Sequence, residues 1–158
     1  MVVAETASRS KAWSQRRHMA RLAAVQALYQ IEITGQRPAA VVLEFHEHRR
    51  GEEIEGVSFK DLDEDLFNEL VVAVSQEPKA LDALLSQALA AEWPVERLER
   101  LLRIILRLGA YELLHAGLPP AVAIDEAVEL ARRFGSETSP AFINGVLDSL
   151  ARDGEAEG

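Results

Sequence analysis

The residues with the most chemical potential are cations crowded near the amino terminus. Arg9, Lys11, Arg16, Arg17 and Arg21 fall within one stretch that holds no acidic residue, although the whole chain carries 26 acids against 17 bases and a net charge of -9. A guanidinium is always charged and presents a planar fork of donors that matches a phosphate. Arg17 and Arg21 are four apart, so a helix sets them on one face with Arg16 and His18 flanking. Trp13 and Tyr29 add ring surfaces on which unpaired bases can stack. Two readings stay open on these residues alone: a phosphate-binding surface, or an ordinary solvated basic helix end. The acidic total excludes a protein coated in positive potential, so any nucleic-acid surface has to be local.

Elsewhere the chemistry is thin. Arg100, Arg103 and Arg107 form a second basic stripe, but Glu96 and Glu99 stand four residues before the first two, and intrahelical pairing is expected to absorb them. In the run Glu44-Phe45-His46-Glu47-His48 a helix turns the two histidines apart, which argues against a metal site. The chain has no cysteine, so it has no disulfide, thiolate zinc site or cysteine nucleophile. No glycine-rich phosphate loop, nucleophile elbow or metalloprotease helix motif occurs. The expectation is therefore no catalytic residue, no metal, no cofactor and no enzymatic activity. The opening MVVAETASRSKAW lacks the apolar core of a signal peptide, and no segment approaches ~18 uninterrupted apolar residues, which points to a soluble cytoplasmic protein with no membrane contact.

The elements that must position these residues are helices. Leu22, Val25, Tyr29 and Ile33 mark a first helix, and Val41, Val42 and Phe45 a short second one after Pro38. A third carries Leu62, Leu66, Leu70 and Val74, with Asp61, Asp63, Glu64 and Asp65 in the first turn where carboxylates favour the helix dipole. Pro78 starts a fourth helix; Trp93-Pro94 opens a long fifth that runs through Gly109 toward His115. The sixth covers about Ala121 to Phe134 and ends at Gly135, in the position that prefers a positive φ. The last has Ser139 as N-cap and Pro140 in its first turn; its internal Asn144-Gly145 implies that another backbone packs closely against that glycine. No alternating strand is evident, and GEEIEGVSFK at 51–60 reads as the least ordered internal stretch. The expected organisation is all-α: a flexible extension at 1–10, one compact helical domain at 11–152, and a disordered acidic tail at 153–158.

Two regions carry a family resemblance: ARLAAVQALYQ at 20–30, and ILRLGAYELLH at 105–115 followed by VAIDEAVELARRFGSETSPAFINGVLDSLA at 122–151. Together they resemble the NusB family of transcription antitermination factors. The resemblance implies a seven-helix, NusB-like bundle that binds the boxA element of nascent ribosomal-operon RNA, a single-stranded RNA, as a heterodimer with the ribosomal protein NusE. It also implies that the complex joins the RNA polymerase antitermination assembly and helps polymerase read through terminators. RNA contacts then fall to Arg16, Arg17, His18 and Arg21, to Tyr29 at the end of AVQALY, and to Phe142 at the start of FINGVLD; Thr138 and Phe142 face the partner protein. The chain departs from a denser family arginine run at His18 and Met19, and has Thr138 where relatives often carry an acid. A related domain also occurs in RNA cytosine methyltransferases, but 158 residues leave no room for their catalytic domain. Homodimer formation stays open.

Overall fold

A computed structural model describes residues 2–49, 53–54, 57–58, 62–90, 94–135 and 140–157. Among them the chain forms seven α-helices: α1 Val2–Thr34, α2 Pro38–Glu44, α3 Glu64–Gln76, α4 Pro78–Ala88, α5 Arg100–His115, α6 Pro120–Phe134 and α7 Pro140–Glu157. The all-α class and helix number expected from periodicity are what the structure has. Residues 1–72 and 73–158 form two compact units. The backbone of α1 is helical from Val2 and that of α7 runs to Glu157, so both helices continue through segments expected to be extension and tail. No described helix is long and apolar enough to cross a membrane.

In the first unit α1 is about 50 Å long at 1.5 Å per residue. Its central turns bury Met19, Ala20, Leu22, Ala23, Ala24, Val25, Ala27 and Leu28. The stripe then runs out: Ile33, on the same apolar spacing, is 53% exposed, and Tyr29, read both as part of that spacing and as a stacking ring, is 41% exposed. Gly35 ends the helix with φ 72, its N–H donating to the Ile31 carbonyl at 2.9 Å, a geometry that suits glycine because a Cβ is strained there. Gln30 Nε2 closes the turn into α2 by donating to Gln36 Oε1 at 2.9 Å and Glu44 Oε2 at 3.1 Å. A π-helical turn, Phe45–Arg49, follows α2 and stacks Phe45 on Phe67 of α3 with ring centres 5.3 Å apart. His46 meets Phe67 edge-on and hydrogen-bonds through Nε2 to Asn68 Oδ1 at 3.1 Å, so its ring is engaged in holding α3. Within the stretch expected to be least ordered, Glu53–Ile54 and Val57–Ser58 pair as a two-residue antiparallel hairpin, β1 and β2; the rest of 51–60 lies outside the described residues. Two residues per strand are too few to show alternation, so no strand signal stands out in the sequence.

In the second unit α5 is the central element, with Leu102, Ile104, Ile105, Leu106, Leu108, Gly109, Ala110, Glu112 and Leu113 all buried. A 3-10 turn at Val95–Arg97 precedes it, so the long fifth helix expected after Pro94 is divided at Leu98-Glu99. Glu99 caps α5: its carboxylate accepts from the Leu101 and Leu102 N–H groups, both at 3.1 Å. Arg107 reaches across to α4 and pairs in a fork with Asp82, Nε to Oδ1 and Nη2 to Oδ2 both at 2.7 Å. Of the stripe, Arg107 therefore serves packing between α4 and α5. The close approach expected at Gly145 is also elsewhere. Nothing lies within 4 Å of a Cβ placed on Gly145, whereas one on Gly109 would sit 2.8 Å from Leu147 Cδ1 and 3.3 Å from Ala127 Cβ. Gly109 is thus where α5 meets α6 and α7. Gly135 ends α6 at φ 101 as expected, and Pro140 begins α7; Ser139 lies outside the described residues.

Candidate nucleic-acid interface

The described part of the basic cluster straddles a boundary along α1. Lys11 and Arg16 are exposed, Arg17 and His18 are half-buried, and from Met19 onward the helix enters the core. Arg17 sits at the junction. Its guanidinium carbon lies 4.8 Å from the centre of the Trp13 ring, one turn earlier, within the range of a cation–π contact. Its Nη1 stands 3.4 Å from Asp63 Oδ2. Trp13 is 51% exposed, so it displays a large aromatic surface beside a fixed cation.

Asp63 holds this arrangement from the other side. It is the N-cap of α3: its Oδ1 accepts from the Leu66 N–H at 3.1 Å, satisfying one of the donors left over in a first helical turn. Its own N–H donates to the Arg16 carbonyl at 3.1 Å, stitching the start of α3 to α1. One carboxylate therefore caps a helix with one oxygen and orients an arginine with the other. The sequence placed Asp63 in an acidic first turn but gave it no role toward Arg17, since the two are 46 residues apart. An Asp just ahead of an apolar helical run is an N-cap signal, and that much was available.

The remaining expected site residues separate. Arg21 is 2% exposed and has interactions of its own, so the phosphate role expected for it is not open to it in this conformation. Four residues of helix carry the chain from a half-buried Arg17 to a fully packed turn, and shared face does not mean shared exposure. Tyr29 is exposed but lies twelve residues beyond Arg17, roughly 18 Å along the axis. Phe142 is half-buried on α7, in the second unit. Thr138 lies outside the described residues. The structure thus brings together Trp13, Arg16, Arg17 and Asp63; of these the arginines were expected to hold phosphates and Trp13 to offer a stacking surface, while Asp63 was not expected at the site.

The profile of the NusB family matches residues 18–152. The chain belongs to the NusB family. A transcription antitermination protein NusB from Brucella anthropi is 42% identical over 139 residues, covering 87% of this chain and 83% of that one. One from Mesorhizobium japonicum is 38% identical over 146 residues, covering 92% and 94%. Among solved structures, T. maritima NusB superposes with a TM-score of 0.67 at 32% identity over 87% of this chain and 91% of that one. The NusB of a complex of antitermination factors NusB and NusE with double-stranded RNA gives 0.71 at 23% identity, covering 88% and 98%, which is a likeness of fold.

Proposed function

We propose that this protein is a non-catalytic, cytoplasmic RNA-binding transcription antitermination factor that engages boxA-type single-stranded RNA together with NusE and enters the RNA polymerase antitermination complex. The observation that carries this reading is an aromatic and cationic patch near the middle of α1, exposed Trp13 and Arg16 beside half-buried Arg17, just ahead of the turns that enter the core. It supports a division of labour common in single-strand recognition, in which guanidinium groups hold phosphates and ring faces stack on bases. Family membership supports the partner assignment, because an antitermination factor NusB is found with NusE and RNA in a protein of the same fold. His18, Tyr29 and Phe142 extend the proposed RNA surface, and Thr138 with Phe142 the NusE surface. Arg21 belongs to the scaffold beneath it.

The test is a titration of boxA RNA and a scrambled control, each with and without NusE. The expected result is tighter binding of boxA, enhanced by NusE. With about three phosphates neutralised, log affinity falls against log salt with a slope near -2. Equal binding of both RNAs in both conditions, or a salt-independent complex, refutes the reading.

A further inference from the structure

We infer that Asp63 is an internal stand-in for an RNA phosphate: in the free protein its carboxylate holds the Arg17 guanidinium against Trp13, and an RNA phosphate takes its place on binding. The inference rests on the proposal that α1 binds RNA and adds a positioning residue of opposite charge to that site. A carboxylate and a phosphate oxygen engage the same donors of a guanidinium. The pair is half-buried, with side-chain exposures of 21% and 25%, so it is weakened by water less than a fully exposed pair while remaining open to a competing anion.

Asp63 cannot simply swing away. Its Oδ1 is committed to the Leu66 N–H and its backbone N–H to the Arg16 carbonyl, so the carboxylate keeps its position when Arg17 changes partner. Two consequences follow. The arginine is ordered before RNA arrives, which lowers the ordering cost of binding. An anion that offers a single phosphate and nothing more must outcompete a tethered carboxylate, which disfavours weak polyanions.

The cap makes the experiment clean. Asp63→Asn retains a side-chain oxygen for the Leu66 N–H, and Asn caps helices about as well as Asp, while the charge facing Arg17 is gone. Asp63→Ser, a second capping residue without charge, is made in parallel so that the result does not depend on one variant folding. Asp65→Asn, an exposed neighbour in the same turn, controls for the general loss of a negative charge. Each is titrated with boxA RNA in the wild-type and Arg17→Ala backgrounds, with thermal melts run alongside. Removal of the Asp63 charge is expected to tighten RNA binding about two- to fivefold, the range of a partly exposed ion pair, beyond any change from Asp65→Asn. In the Arg17→Ala background that gain is expected to vanish. No gain, or the same gain with and without Arg17, overturns the inference while the wild-type titration still stands for the RNA-binding proposal. Wild-type protein that fails to bind boxA overturns both.

Discussion

Two helical glycines of the second unit, Gly109 and Gly145, test the packing directly, because the same substitution has opposite expected signs. Replacing an exposed mid-helix glycine by alanine stabilises by ~0.8–1 kcal/mol through backbone entropy alone. Gly145 meets that condition: it is exposed in α7 and its added Cβ meets nothing within 4 Å. Gly145→Ala is expected to gain nearly the full amount. At Gly109 the same gain is opposed by a clash, since a Cβ there lies 2.8 Å from Leu147 Cδ1 and 3.3 Å from Ala127 Cβ. Carbon atoms rest at about 3.5–4.0 Å, so Leu147 has to retreat by roughly 0.7 Å or more. It is fully buried, and close-packed interiors resist such a shift. Overpacking of this kind costs ~1–3 kcal/mol, which leaves Gly109→Ala destabilised by roughly 0–2 kcal/mol after the helix gain. Urea denaturation followed by circular dichroism should separate the two variants by about 1–3 kcal/mol, with wild type at or between them. A Gly109→Ala protein as stable as Gly145→Ala refutes the assignment of the α5–α6–α7 contact to Gly109.

Two further predictions concern the cations. Arg21→Ala, which removes a buried and engaged side chain, is expected to cost ~1–3 kcal/mol of stability, whereas Arg16→Ala should leave the melting temperature unchanged and weaken RNA binding. An Arg21→Ala protein that melts like wild type yet loses RNA would return Arg21 to the interface. Arg107→Ala is expected to destabilise by about 1–2 kcal/mol by breaking the fork to Asp82, and Arg107→Lys to recover only part of that, since an ammonium cannot match both oxygens. Chemical denaturation of the three proteins checks the order, and full recovery by lysine would show that charge without geometry suffices.

What was legible in the sequence follows from what periodicity encodes. Spacing of apolar residues identifies a helix and its inward face, and prolines and glycines mark ends, so Pro38, Pro78, Pro120 and Pro140 stand at or beside real helix starts and Gly135 at a real stop. Spacing does not say how far along a helix its neighbours extend. Tyr29 and Ile33 keep the register of Leu22 and Val25 but project beyond the packed turns, and Arg21 keeps the register of Arg17 but lies within them. The glycines show the same limit. Gly109 and Gly145 are equally anomalous in a helical pattern, and only the side chains of neighbouring helices distinguish the packed one from the open one. Asp63 was visible as a helix-starting acid and invisible as a partner of Arg17, because that pairing depends on how α3 is laid against α1.

The position of Arg17 connects these observations. Along α1 the side chains pass from exposed at Lys11 and Arg16, through half-buried at Arg17, to fully packed from Met19. A cation farther out would be a solvated, loosely held charge contributing little to orientation; one turn farther in, Arg21 is closed off by the core. Only at the boundary is a guanidinium both reachable by a ligand and restrained by neighbours, and there the fold supplies two restraints, the Trp13 ring and the Asp63 carboxylate. The Asp63 restraint is itself fixed by capping α3, so the orientation of Arg17 is tied to the integrity of that helix start. A change that frays the first turn of α3 should therefore loosen Arg17 even though it touches no residue of the proposed RNA surface.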